Sequence, residues 1–192
     1  MRQTRIVMFI LIGAALFGLG AAPAVAAQTV DVDKWATGFC TAIQDWQTTA
    51  REAHNRVQDV TSNGVDGAAQ ARVARAGIVR GLDAAARASS RASKAVKALG
   101  APDVANGTKI TSTIATAIGH ASKAFSTAEN TASTAPTDPA KFQAAMKKIE
   151  KNVDKDLEAA GEDISGIDAL DRGSELDKAF TQATACDFLN GS

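Results

Sequence analysis

Apolar side chains recur every three or four residues along most of the chain, which is the spacing of one buried helical face. This pattern predicts long helices over about residues 31–60, 66–99 and 103–133, a fourth from about residue 138, and a short one over about residues 174–187. The face of the first helix carries large apolar residues, whereas that of the second is mostly Ala and Ser. Small residues let helices approach closely, but they bury less apolar area per turn.

Turn-forming and capping residues indicate where these helices begin and end. The segment from Thr61 to Gly64 has the composition of a turn, and Gly100, followed by Ala101 and Pro102, ends the second helix. Asp138 followed by Pro139 is typical of an N-cap and the first helical residue. Other signals of this kind are a cap at Asp103 with regular helix from about Gly107, a break at Arg172–Gly173, and a capping box from Ser174 to Asp177.

The regular elements therefore define a fold class. No segment alternates between apolar and polar residues over the length of a strand, so no strands are predicted. The sequence predicts an all-α fold: an up-down bundle of four long helices plus a short C-terminal helix, pinned by a disulfide.

The first 27 residues have the three parts of a secretory signal peptide. Arg2 and Arg5 precede an apolar run from Ile6 to Leu19, and small residues follow up to Ala27. The apolar run is short for a membrane span, which makes an uncleaved anchor the lesser alternative. No cysteine lies near the cleavage site, which argues against a lipid anchor. We therefore expect residues 1–27 to be removed, and residues 28–192 to form a secreted domain without a transmembrane anchor.

The two cysteines, Cys40 and Cys186, lie near opposite ends of this domain. Thiols tend to pair in the oxidising compartments that exported proteins reach. A reactive thiol or a metal ligand is the alternative, but neither cysteine has a histidine within ten residues. The sequence therefore predicts a Cys40–Cys186 disulfide.

Charge is balanced overall but unevenly distributed. The segment from Gly64 to Gly100 has seven basic and two acidic residues, whereas that from Pro136 to Ser192 has twelve acidic and seven basic residues. Four of the basic residues share one face of the second helix and form a basic stripe: Arg80, Arg87, Arg91 and Lys94. The first interpretation is that this stripe lies beside the acidic fourth helix or forms a merely solvated face. The alternative is a surface that binds a polyanion.

Chemistry-bearing residues are few. Trp35, Phe39 and Trp46 share one helical face, and they form either the main core anchor or a pocket for a small ligand such as haem. The two histidines, His54 and His120, are expected at the surface or the rim of the core. The sequence has no phosphate-binding Gly-rich loop and no hydrolase or metalloprotease motif, so we expect no enzyme activity, metal or cofactor.

Several short segments resemble a group of small exported helical proteins from actinobacteria. The residues that carry the resemblance lie around Phe39–Cys40, at Gly100–Asp103 and Asn106–Gly107, at Asp138–Ala140, and around Glu175–Leu176 and Ala185–Cys186. The similarity covers nearly the whole mature chain. It implies export and a helical architecture, and it supplies no catalytic residues.

These observations favour a non-enzymatic protein that binds a component of the cell envelope, or another protein, there or in the medium. Nucleic acid is not an expected partner, because no aromatic residues interleave the basic stripe to stack on bases. The alternative function is the carriage of a small ligand such as haem.

The first prediction concerns the signal peptide. Protein recovered from the culture medium should begin at or within one residue of Gln28, because signal peptidase cleaves after small residues such as Ala27. Intact-mass spectrometry measures this directly. Recovery of a chain that still begins at Met1, in the membrane fraction, would contradict it.

Overall fold

Four long helices make up most of the protein in the computed structural model, which describes residues 29–165, 170–171 and 175–190. They are α1 (Val32–Asn63), α2 (Ala68–Ala98), α3 (Gly107–Ser133) and α4 (Pro139–Ser165). The predicted all-α class and the four long helices are therefore confirmed. The proposed signal peptide lies outside the described residues.

The C-terminal part of the chain consists of short helical pieces. These are α5 (Glu175–Gln182), a 3-10 turn (Thr184–Cys186) and α6 (Asp187–Asn190), where the sequence had predicted one short helix. The backbone N–H of Leu176 donates a hydrogen bond to Oδ2 of Asp171 at 3.0 Å, which caps the start of α5. The predicted break at Arg172–Gly173 and the predicted cap, Ser174, lie outside the described residues.

Consecutive long helices run antiparallel and form a ring. Arg91 on late α2 contacts Asp45 on early α1, and Ser93 on late α2 contacts Ala115 on early α3. In the same way α4 runs antiparallel to α1 and closes the ring. Helices α2 and α4 thus lie diagonally opposite each other, with only slight contact between them.

The interior is divided into two cores along the bundle axis. One core lies at the end of the bundle away from Cys40 and Cys186, and we call it the opposite-end core. It is formed by α4, late α1, early α2 and late α3. Its largest buried residues are Ile78, Leu82, Phe125, Phe142, Met146 and Ile149. The disulfide-end core is formed by early α1, late α2 and early α3, and the C-terminal segment covers it in the place that α4 takes at the other end. Its main buried residues are Trp35, Phe39, Cys40, Ile43, Val96, Ile110, Ile114, Ile118, Leu176 and Cys186.

Helices α2 and α3 form the most extensive interface of the bundle, and small residues line it. The hydroxyl of Ser93 donates to the carbonyl oxygen of Ala115 at 2.6 Å, and that of Ser122 donates to the carbonyl oxygen of Ala86 at 2.8 Å. A serine side chain reaches the backbone of a neighbouring helix only when the two helices are close. The small face of α2 therefore allows the close approach that its composition predicted.

A two-residue parallel ladder, which the sequence did not predict, joins the N-terminal segment to the α2–α3 connection. Strand β1 (Thr29–Val30) pairs with β2 (Ala101–Pro102), and the Asp103 backbone N–H donates to the carbonyl oxygen of Val30 at 2.8 Å. A ladder this short has no alternating pattern to detect. Gly107 begins α3 directly beneath β2, where an added Cβ would collide with the carbonyl oxygen of Pro102.

The observed helix ends refine the predicted ones. Helix α1 continues through the predicted turn to Asn63 and ends at Gly64, whose φ of 71° is readily adopted only by glycine. The predicted cap at Asp138 is present: its Oδ1 accepts a hydrogen bond from the backbone N–H of Lys141 at 3.0 Å. Asp103 does not cap α3, because its backbone takes part in the contact with β1.

The predicted disulfide between Cys40 and Cys186 is confirmed. Their Cα atoms are 5.2 Å apart, and the bond fixes the 3-10 turn against early α1. Both cysteines are fully buried, and Phe180 of α5 packs beside them on Trp35 and Phe39. The C-terminal segment is thus held by one covalent bond, by the burial of Leu176 and by a small aromatic contact.

The second prediction concerns this bond. The double substitution Cys40→Ala with Cys186→Ala should lower the free energy of unfolding, by up to about 4–5 kcal/mol in the chain-entropy model. Hydrogen exchange should show lost protection in α5, with α2 and α3 still protected, because short helices are marginal without a tether. The oxidised native protein is the control. Unchanged protection of α5 in the double variant would contradict the tethering role.

Candidate functional site

The basic stripe lies on the solvent-exposed side of α2, at the edge nearest to α1. Arg80, Arg87, Arg91 and Lys94 are all exposed. Its neighbours are α1 and α3, and α4 is on the diagonal. The basic stripe therefore does not lie beside the acidic fourth helix, as the first interpretation had it, because the ring of helices separates the stripe from α4.

Two residues of the stripe form ion pairs with carboxylates closer at hand. Arg87 donates a hydrogen bond to Asp83, one turn earlier on α2, at 2.7 Å, and Arg91 donates to Asp45 on α1 at 3.0 Å. The two arginine side chains are 63% and 64% exposed, so water screens both pairs. Pairs of this kind contribute only about 0.2–1 kcal/mol each. They hold the side chains weakly and leave them accessible to a ligand.

Beyond these pairs, toward the C-terminal half of α1, an open cleft of about 330 Å³ lies between α1 and α2, and we call it the α1–α2 cleft. The side chains that could contact a ligand there are polar or charged, and glycines form part of the floor. The cleft is lined by Thr49, Glu52 and Arg56 of α1, and by Gly77, Arg80 and Gly81 of α2, together with two alanines.

Two glycines one helical turn apart make room for this cleft. At Gly81 an added Cβ would lie 3.2 Å from Cδ of Arg56, so the glycine allows the arginine side chain to cross the α2 backbone. At Gly77 an added Cβ would meet nothing within 4 Å, so packing does not require a glycine there. Glycine inside a helix costs about 0.5–1 kcal/mol relative to alanine. Gly77 therefore destabilises α2 with no packing contact that compensates for it.

Two arginines at this cleft take no part in holding the fold together. Neither Arg56 nor Arg80 makes an ion pair or a side-chain hydrogen bond with any residue that the structure describes. An arginine presents five N–H donors in a planar fork that matches phosphate and carboxylate oxygens. The cleft therefore presents two water-exposed guanidinium groups, one on each of two adjacent helices.

Sequence reasoning found only part of this site. It selected Arg80 through its position in the basic stripe, and it missed Arg56, Glu52 and the glycines. The pair Gly77 and Gly81 inside a predicted helix was a usable signal, because glycines are disfavoured there. Arg56 could not be assigned to the site without knowing which turn of α1 faces which turn of α2.

The aromatic cluster lies in the disulfide-end core. Trp35 is fully buried and stacks on Phe39 with ring centroids 5.4 Å apart, and Phe180 packs against both rings. The Trp35 indole N–H donates to the carbonyl oxygen of Gly100 at 3.0 Å. These two predicted pocket residues are thus occupied by packing and hydrogen bonding.

The third residue of the predicted pocket, Trp46, lies between the two cores and is partly buried. Its indole nitrogen is enclosed and has no hydrogen-bond partner, and the same is true of Oε1 of the adjacent Gln47. An unsatisfied buried polar group costs about 1–3 kcal/mol. A donor and an acceptor on two successive residues in the middle of α1 are therefore each without a partner among the described residues.

The two histidines lie on different faces of the bundle. Nδ1 of His54 is 3.5 Å from Oδ1 of Asp154, an exposed contact between α1 and α4. His120 lies in a second cleft, between α3 and α4, where Lys123 and Asp156 place opposite charges side by side. Among the described residues, no cluster of three or more potential ligands is suited to a metal ion.

Comparison with known proteins gives no relative on which to base a function. No protein-family model matches the chain, and no curated protein or solved structure is significantly similar to it. None of the helices in the described residues is both long and apolar enough to cross a membrane.

The third prediction compares the two tryptophans. Trp35→Phe should lower the free energy of unfolding by at least about 1 kcal/mol more than Trp46→Phe, because only Trp35 loses a satisfied hydrogen bond. Urea denaturation followed by circular dichroism measures both. Equal losses would show that the Trp46 indole has a partner in solution.

Proposed function

We propose that this protein is an exported, non-enzymatic binding protein whose α1–α2 cleft holds an anionic group of its partner at the cell envelope or in the medium. The observation that carries the proposal is the presence of Arg56 and Arg80 on facing helices with no partner in the described fold. Charge-assisted bonds from arginine to oxyanions are stronger than neutral hydrogen bonds. Two such groups at one cleft suit a phosphate or carboxylate.

The rest of the basic stripe extends this surface toward the disulfide end. Arg87 and Arg91 are held only by exposed ion pairs, which a polyanion of similar charge can replace at little cost. Lys94 is exposed one turn further along. A partner with repeated anionic groups can therefore contact the cleft and the stripe together. Nucleic acid is the less favoured partner, because no aromatic ring lines the cleft to stack on a base.

Export forms part of the same proposal. A buried Cys40–Cys186 disulfide is compatible with an oxidising compartment outside the cytoplasm. The residues that resemble the actinobacterial group support the fold: the two cysteines are bonded, Gly100 accepts the Trp35 hydrogen bond, and Asp138 caps α4. We propose that the chain shares this architecture with that group, and the shared residues do not include the cleft.

Carriage of a small ligand such as haem is the second candidate. The observation in its favour is that Nε1 of Trp46 and Oε1 of Gln47 are each enclosed without a partner among the described residues, so that a ligand could bond to either atom. Against it, Trp35 and Phe39 are already packed on Phe180. The α1–α2 cleft is the better candidate, because it is open and its arginines are exposed.

The fourth prediction tests the cleft with a simple polyanion. The double substitution Arg56→Gln with Arg80→Gln should weaken binding of inorganic tripolyphosphate at least about tenfold, because two charge-assisted contacts are removed. Isothermal titration calorimetry measures the affinity, and circular dichroism checks that the variant is folded.

The matched control is Arg51→Gln with Arg72→Gln, which removes the same charge from exposed positions of α1 and α2 outside both the cleft and the basic stripe. It should change the affinity by less than about threefold, since exposed charges act weakly through solvent. Equal losses in the two double variants would show that net charge, and not the cleft, determines binding. No binding by the native protein would contradict the proposed function.

A further inference from the structure

We infer that the α1–α2 cleft recognises a phosphorylated polyol, with the phosphate between Arg56 and Arg80 and the hydroxyl groups directed to Glu52 and Thr49. This inference rests on the proposed function and specifies the ligand of the same site. It follows from the acceptors that share the cleft with the arginines, and from the open floor at Gly77.

The charges of the cleft are arranged unequally along α1. Arg56 is one turn beyond Glu52 and two turns beyond Thr49, so cation and acceptors are separated by about 6–10 Å along the helix. Arg80 of α2 also lines the cleft, so two cations stand against one carboxylate. A ligand with an anion only would bring a like charge toward Glu52. A ligand with an anionic end and a hydrogen-bond-donating end avoids this repulsion.

The acceptor end favours hydroxyl groups as those donors. The Thr49 hydroxyl already donates to the carbonyl oxygen of Asp45 at 2.7 Å, so its remaining capacity is that of an acceptor. The Glu52 carboxylate is exposed and acts only as an acceptor when it is ionised. Two acceptors about one helical turn apart suit a polyol, because each can accept from a different hydroxyl group, whereas an ammonium group carries its donors at one point.

The open floor provides the space that such a ligand needs. Because an added Cβ at Gly77 would meet nothing within 4 Å, a side chain that begins there enters open space without a clash at its Cβ. Leucine also forms helix better than glycine. Gly77→Leu should therefore fill the cleft and stabilise the fold at the same time, so that lost binding is not confused with unfolding.

The experiment titrates the oxidised, folded protein with glycerol 1-phosphate, inorganic phosphate and phosphoethanolamine by calorimetry. Glycerol 1-phosphate should bind at least about fivefold more tightly than either of the other two. Gly77→Leu should weaken its binding at least about tenfold while raising the melting temperature. Ala76→Leu, an exposed substitution on the same helix outside the cleft lining, is the matched control and should leave binding unchanged.

The substitution Glu52→Gln tests the contact with the hydroxyl groups of the ligand separately from the contact with its phosphate. It should reduce the preference for glycerol 1-phosphate over inorganic phosphate, because a neutral amide oxygen is a weaker acceptor than a carboxylate. It should not weaken the binding of inorganic phosphate, because a repelling charge is lost from the anion's surroundings. Vesicles of phosphatidylcholine with and without phosphatidylglycerol distinguish the source of the ligand. Binding to the phosphatidylglycerol vesicles supports a lipid headgroup, whereas binding to free glycerol 1-phosphate alone supports a soluble ligand.

Equal or tighter binding of inorganic phosphate or phosphoethanolamine would overturn the inferred ligand class. Full binding of glycerol 1-phosphate by Gly77→Leu would overturn it as well. In either case the tripolyphosphate comparison of the arginine variants remains a separate test, so the proposed anion site can stand when the polyol does not.

Discussion

The covalent link between Cys40 and Cys186 is the constraint on which the disulfide-end half of the structure depends. At the opposite end, α4 supplies large buried residues such as Phe142 and Met146 to complete the core. At the disulfide end that position is taken by α5 and the 3-10 turn, which are only eight and three residues long. Segments this short do not hold helical structure by themselves. The bond fixes them against α1, so that Leu176 and Phe180 can cover Trp35 and Phe39.

Close approach of α2 and α3 is the second constraint, and it leaves α2 free to form a surface on its other side. The buried face of α2 is mostly Ala and Ser, and serine hydroxyls bridge directly to the neighbouring backbone. The four arginines and lysines of the basic stripe are all exposed on the side of α2 that faces α1 and solvent. On this side Arg56 of α1 and Arg80 line the same cleft as Gly77.

The sequence predicted those features whose causes are local or repeated. Helix positions followed from the spacing of apolar residues, and the start of α4 followed from the Asp138–Pro139 pair. The disulfide followed from there being only two cysteines. The partner of the basic stripe was misjudged, because the order of helices around the ring decides which charges meet. Arg91 pairs with Asp45 since α1, and not α4, is its neighbour.

The candidate site was the least predictable part, for a related reason. A cleft between two helices depends on their relative register, and a shift of one turn would move Arg56 away from Gly81. The β1–β2 ladder was missed because two residues carry no periodic signal, and it exists only where the finished bundle brings Val30 beside Pro102. The sequence contained one overlooked indication, namely two glycines a turn apart in the middle of a strong helix.

The arrangement of the two ends of the described chain has a topological consequence. Val30 and Phe188 both pack against the disulfide-end core, so the two ends lie at the same end of the bundle. A circular permutant that joins them through a short linker and opens the chain in the turn after Gly64 would keep every helix pair. The cysteines, now 146 residues apart, would be separated by only about twenty residues plus the linker. Each halving of that loop reduces the closure entropy by about 0.6 kcal/mol, so the same bond would stabilise the rearranged chain less.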